Sequence, residues 1–181
     1  MFFDRAAQKY YHAPLMFAQA VIDSLEFART EQTLEGSLPV SSLARLQDCL
    51  HDSLGQVEIV VRGGWDAQLR PVLNLTVTGA LHLRCQRCLG QLDYPLRMSS
   101  TLRLVSQAET DAGDLDEVDV DWIVASRELN VAGLVEDELI LSLPYAPRHA
   151  EGQCVHGGTV EPRHGKTSPF AKLAGLKKGH H

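Results

Sequence analysis

Between Pro39 and Leu50 the apolar side chains Val40, Leu43, Leu46 and Leu50 return every three or four residues, which is the spacing of one face of a helix. Pro39 suits a first helical turn, so the pattern predicts an amphipathic helix from about Pro39 to Leu50. Cys49, three residues past Leu46, is expected to be a small core residue on the same face. From Gln56 the period shortens to two. VEIVVR, ending at Gly63-Gly64, is rich in β-formers, and LRPVLNLTVTGALHLRC sets Val72, Asn74, Thr76 and Thr78 on one face against Leu73, Leu75 and Val77 on the other. QLDYPLRMSSTLRLVS continues the alternation through Leu102 and Leu104, and a short edge strand is expected at Val118 to Val124. NVAGLVEDELILSLP then returns to helical spacing, with Asn130 as the cap and Val131, Leu134, Val135 and Leu139 on one face. Glu136, Asp137 and Glu138 fall on its polar side and read as solvated.

These elements define an α+β fold: an antiparallel meander from about Gln56 to Ser106, covered by helices near Pro39 to Leu50 and Asn130 to Leu143. The first 33 residues have mixed spacing and no clear cap. The expected organisation is a single α+β domain over 1–156, with an acidic loop at about 107–121, followed by a flexible basic tail over 157–181. A chain of 181 residues, 44% hydrophobic, has the apolar content for one proper core. No basic leader precedes an apolar block, and no apolar run approaches the roughly 18 residues that a membrane helix requires. The expectation is a soluble, unexported, cytoplasmic protein with no membrane partner. In that compartment Cys49, Cys85, Cys88 and Cys154 are thiols or metal ligands rather than disulfides.

The formal net charge of -6 argues at first against an anionic partner. Its distribution changes the picture. Glu109, Asp111, Asp114, Asp116, Glu117, Asp119 and Asp121 follow one another with no Lys or Arg between them, and this segment alone exceeds the whole negative excess. Their spacing lacks the alternation, sixth-position glycine and twelfth-position glutamate of an EF-hand loop, which excludes that kind of calcium site. Around the cysteine pair stand Arg62, Arg70, Arg84, Arg87, Arg97 and Arg103, and from Arg148 onward Arg163, Lys166, Lys172, Lys177 and Lys178. Such a bipolar chain can hold an anion on one face, although solvated surface charge accounts for the same composition.

The chemistry-bearing stretch is LRCQRCLGQL, which places Cys85 and Cys88 on a hairpin tip between two strands. Structural zinc takes thiolate and imidazole in sets of four, and Cys85, Cys88 and Cys154 with either His149 or His156 supply such a set. Two packed thiols at a tight turn are the competing reading. Redox catalysis fits less well, because a thioredoxin-like pair opens a helix and here both flanks are strand. No nucleophile with its base, phosphate-cradling glycine loop or carboxylate dyad is evident, so an enzyme is not expected.

In four ordered blocks, LEGSLPVSSLARL, CQRCLGQLDYPL, VEDELILSLPYAPRHAEGQC and SPFAKLAGLKK, the chain resembles the bacterial YceD-like proteins, the large ribosomal RNA subunit accumulation protein family. The blocks run from Leu34 to Lys178. The resemblance implies a non-enzymatic role in making or stabilising large-subunit ribosomal RNA, and Cys85, Cys88, His149 and Cys154 are the positions that match the family pattern. Zinc is the cofactor these four would take. Arg84 and Arg87 beside the cysteines, with Lys172, Lys177 and Lys178 in the tail, are the expected contacts to RNA or its precursor. Aromatic residues are sparse near the tip, with only Tyr94 close in sequence, so recognition led by shape and backbone is expected. Docking on a ribosomal protein or processing factor without touching RNA is the alternative.

Overall fold

The computed structural model describes residues 17–112 and 121–154. The expected start of the edge strand at Val118, most of the acidic loop, His156, the basic tail with Lys172, Lys177 and Lys178, and residues 1–16 lie outside the described residues.

Among the described residues, seven strands and three α-helices occur in the order β1 (Val21–Ile22), α1 (Ser24–Arg29), β2 (Thr33–Pro39), β3 (Gln56–Trp65), β4 (Pro71–Arg84), β5 (Gln91–Val105), α2 (Gln107–Ala112), β6 (Trp122–Val124), β7 (Leu129–Asn130) and α3 (Val131–Ser142). The main sheet has the order β2-β3-β4-β5-β6, antiparallel throughout except for the parallel β5–β6 pair. This is an α+β fold, as the periodicities require. Alternation sets one face of the sheet inward in cross-strand rows. Leu34 faces Val61, which faces Leu75; in the next row Gly36 faces Ile59, then Val77 and Met98. Val57, Ile59, Val61, Leu73, Leu75, Val77, Leu81 and Leu83 are all buried, while Glu58, Arg62, Asn74, Thr76, Thr78, Arg97 and Thr101 on the other face are exposed. A one-residue slip would invert every one of these positions, so burial itself fixes the register.

Three elements cover the apolar face. Helix α3 starts where expected, with Asn130 Oδ1 accepting from Gly133 N at 2.9 Å, and buries Val131, Leu134, Val135 and Leu139. Helix α1 is capped by Asp23, whose carboxylate accepts from Glu26 N, and lies against β3. A Cβ on Gly63 would sit 2.7 Å from the Cα of Ala28, so glycine is what lets the helix backbone approach the strand. For that reason Gly63 and Gly64 do not end the strand, as the sequence suggested; β3 continues through them to Trp65.

The third covering element corrects the expected helix from Pro39 to Leu50. Pro39 closes β2, and two 3-10 turns follow, Val40–Ser42 and Arg45–Cys49, separated by Leu43 at φ −87°, ψ 83°. Val40, Leu43 and Leu46 recur strictly every three residues, which is the 3-10 period, and all are buried. Gln47 Nε2 donates to the carbonyls of Val40 (2.9 Å) and Leu43 (2.8 Å), which a continuous α-helix would have bonded itself. Leu50 takes the last inward place and bridges to Leu83. That turns Cys49 outward, so it is exposed and is not a core residue.

Glu136 corrects a second expectation. It is buried on the inner side of α3, and its Oε1 accepts from Arg45 N at 2.6 Å and Leu46 N at 3.2 Å. The carboxylate thereby caps the second 3-10 turn from a distant helix. Its Oε2 accepts from Arg45 Nε, whose guanidinium also reaches Asp137 and the Gly133 carbonyl. No helix among the described residues is long and apolar enough to cross a membrane.

Candidate metal centre

The β4–β5 ladder runs as far as Arg84 opposite Gln91, which leaves Cys85 to Gly90 as the loop at its tip. Cys85 N donates to Gly90 O (2.9 Å) and Leu89 N to Cys85 O (2.8 Å), with Leu89 in the left-handed region at φ +61°. The loop therefore folds back on itself and brings Cys88 over Cys85. A second segment reaches the same tip after α3. Leu143 packs on the core, the Pro147 carbonyl accepts from Gln86 N at 2.8 Å, and a turn at Gly152 (φ +80°) carries Cys154 back to the hairpin.

Arg87 ties the two segments together. Its Nε donates to Cys154 Sγ at 3.0 Å, and its Nη2 donates to the carbonyls of His149 (3.0 Å) and Ala150 (3.2 Å). The result is a cluster of Cys85, Cys88, His149 and Cys154 whose ligand atoms all lie within 4.8 Å of one another. Cys85 Sγ to Cys154 Sγ is 3.8 Å, Cys88 Sγ to His149 Nδ1 is 3.4 Å, and Cys154 Sγ to His149 Nδ1 is 3.7 Å. Tetrahedral zinc with Zn–S near 2.3 Å and Zn–N near 2.0 Å would hold its ligands about 3.8 Å apart for sulfur pairs and about 3.5 Å for sulfur and nitrogen. The donor set and its spacing fit that ion.

The orientation of the imidazole fits as well. His149 Nε2 lies 2.7 Å from the Gln91 carbonyl, which can only accept, so Nε2 carries the proton and Nδ1 turns its lone pair toward the sulfurs. Burial pushes the Cys85 thiol up, but the N–H groups of Cys88, His149 and Arg87 aimed at its sulfur outweigh this and bring it down to about 5. Cys154 is lowered too: burial opposes the shift, and the Arg87 guanidinium and His149 override it. Cys88 is raised. The Gly90 N–H lowers it, and burial with the neighbouring sulfurs of Cys154 and Cys85 prevails. His149 is raised, first through Cys154. These shifts favour thiolate at two of three sulfurs, the form in which cysteine ligates a metal.

None of the four cysteines forms a disulfide, and at 3.8 Å Cys85 and Cys154 are far outside the ~2.05 Å of such a bond. The thiol–imidazole contact of Cys88 and His149, 3.4 Å long, is one a nucleophile and its base would also make, and it joins residues too far apart in sequence to be foreseen. Three sulfurs converging on one nitrogen describe a ligand shell better than a single activated nucleophile. The described cavities lie elsewhere, one of ≈ 410 Å³ lined by Phe17, Val21, Phe27 and Leu34 and another beside Met98 and Leu141. Of the expected RNA contacts, Arg84 is exposed with Nη2 3.4 Å from the Leu50 carbonyl, and Arg87 is exposed with its donors directed into the tip loop. The bracing by Arg87 was not foreseen, because it joins residues more than sixty positions apart.

A small α+β fold whose hairpin tip gathers three cysteines and a histidine, a set that could hold a metal ion, is thus the class that fold and site define. Residues 73–177 match the family described as Large ribosomal RNA subunit accumulation protein YceD. Over 166 residues, 87% of this chain and 94% of the relative, the chain is 30% identical to a protein of Haemophilus influenzae (strain ATCC 51907 / DSM 11121 / KW20 / Rd) named "Large ribosomal RNA subunit accumulation protein YceD". The chain belongs to the YceD family. No solved structure matches it.

Proposed function

We propose that the protein is a non-enzymatic cytoplasmic accessory factor in the synthesis, processing or accumulation of large-subunit ribosomal RNA, and that it binds this RNA or its precursor particles. The observation that carries the reading is the similarity to a relative named for accumulation of that RNA along nearly its whole length. In this reading a structural zinc ion held by Cys85, Cys88, His149 and Cys154 fastens the segment after α3 to the hairpin. The ion would add its binding free energy to folding and fix the tip that meets the ligand. Arg84 and Arg87 supply positive charge at the tip, and Lys172, Lys177 and Lys178 extend it along the tail.

The test is crosslinking and sequencing of RNA bound to the full chain in cells, with sedimentation of extracts. Large-subunit precursor RNA in the crosslinks and migration with precursor particles are expected; absence from both contradicts the reading. A second reading is docking on a ribosomal protein or processing factor without RNA contact. It is favoured by Trp122 and Leu141, large apolar residues left exposed beside Asp121 and Glu138. Association that persists after ribonuclease treatment and fails on isolated RNA would select it.

A further inference from the structure

We infer that Tyr145 is a stacking platform for an unpaired RNA base at the clamped tip, an inference that rests on the RNA-binding reading above. Tyr145 is fully exposed, at 103% of its reference area, in the segment that joins α3 to the cysteine and histidine cluster. An aromatic side chain wholly in water is ordinary at a frayed terminus, but this segment is fastened at both ends. Leu143 packs on the core, and the Pro147 carbonyl is bonded to Gln86 N in the tip loop. Pro144 and Pro147 on either side limit the backbone further. The ring is thus held out on a stiff strap, and a ligand that stacks on it has little backbone ordering to supply.

Connectivity puts Tyr145 at the tip, since its Cα is within about 7.6 Å of the Cα of Pro147, two residues away. Exposed Arg148 stands next to Pro147, and exposed Arg84, Gln86 and Arg87 belong to the hairpin the strap touches. Asp93 and Glu151 are the exposed acids nearby, and Asp52 is engaged with His82. An aromatic face beside arginine and glutamine is the chemistry that recognises single strands, where base faces are available; in A-form duplex they are stacked away.

The experiment measures anisotropy of a labelled unpaired RNA oligonucleotide, and of its duplex, titrated with the full chain. Tyr145→Ala should weaken binding to the single strand between about 5-fold and 150-fold, the range for loss of one base stack. Tyr145→Phe should retain it, and the melting temperature should be unchanged in both. The salt slope should survive Tyr145→Ala and shrink by about 0.7 in Arg148→Gln, as for one lost phosphate contact. Equal affinity of Tyr145→Ala and parent overturns the inference and leaves the RNA-binding reading standing. A parent chain that binds no RNA overturns both. Unchanged RNA affinity together with lost co-sedimentation with precursor particles would make the strap a protein-docking element, which also overturns it.

Discussion

Replacing Glu136, a buried carboxylate on the inner side of α3, with alanine should cost about 3 kcal/mol of folding stability, a large effect for one helix residue. Its Oε1 accepts two backbone N–H groups at the start of the second 3-10 turn, Arg45 at 2.6 Å and Leu46 at 3.2 Å. A hydrogen bond to a charged acceptor contributes roughly 1.5–3 kcal/mol net, and an N–H left dry costs a similar amount. Leu46 is wholly buried, so its N–H has no route to water, whereas Arg45 sits at the surface and recovers part of the loss. Counting one bond in full and the other in part gives the figure. Glu136→Gln keeps one acceptor oxygen and should cost about half as much. Asp137→Asn, which alters the exposed partner of the same guanidinium, should leave stability nearly unmoved. Urea unfolding of the three variants at pH 7 measures the free-energy loss, and thermal unfolding of the alanine variant should show a fall in melting temperature of about 6–12 °C. A loss below about 0.5 kcal/mol for Glu136→Ala, or an equal loss for Asp137→Asn, would refute the role of Glu136 as a remote cap.

Gly63→Ala should destabilise by about 1–3 kcal/mol, because the new methyl group meets the backbone of α1 rather than a yielding side chain; unfolding midpoints within error of the parent would count against that packing. Asp66 accepts from Gln68 N, Arg70 N and Arg70 Nε in the β3–β4 turn. Burial opposes its ionisation and Arg70 more than offsets this, so its carboxyl is lowered from 3.8. A lowered group stabilises above its unfolded value and loses that contribution as pH falls through its folded value. The stability gap between parent and Asp66→Asn should therefore be present at pH 7 and close as pH drops below about 4, and a gap that widens with acid would be the wrong sign. Arg87→Gln should speed hydrogen exchange and proteolysis across His149 to Cys154, where Arg84→Gln should not, since the Arg87 guanidinium bonds that segment and the Arg84 guanidinium reaches the Leu50 carbonyl instead. Identical protection in the two variants would remove the brace.

Local periodicity reads well where one face of an element is buried and its neighbours are close in sequence. Leu73, Leu75 and Val77 announced β4, and Asn130 followed by Val131, Leu134, Val135 and Leu139 announced α3 and its cap. Val40, Leu43 and Leu46 were legible as an inward face, but intervals of three and of three-and-a-half are hard to separate over so short a run, and the turn type escaped. Strand β2 was missed because its inward row, Leu34, Gly36 and Leu38, is broken by a glycine that carries no hydrophobic signal; the ring of Phe17 occupies the space, 2.5 Å from where a Cβ would stand. Glu136 read as solvated because its partners on the Arg45 turn are ninety positions away. The same reason governs the site. Cys85 and Cys88 declare themselves by spacing, but what joins them to Cys154 is a strap anchored by Pro147 and Arg87, and no repeat in the sequence encodes that closure. Tyr145 was silent for the opposite reason: full exposure of an aromatic leaves no periodic trace.

Native mass spectrometry of the full chain, purified without chelator, measures directly whether the cluster at the tip acts as a metal clamp. One zinc ion per folded chain is predicted. It should be lost in His149→Ala and Cys154→Ser, and retained in Cys49→Ser, whose thiol lies exposed outside the cluster. A chain that is fully folded and carries no metal, with the parent and the Cys154→Ser variant equally stable, would contradict it.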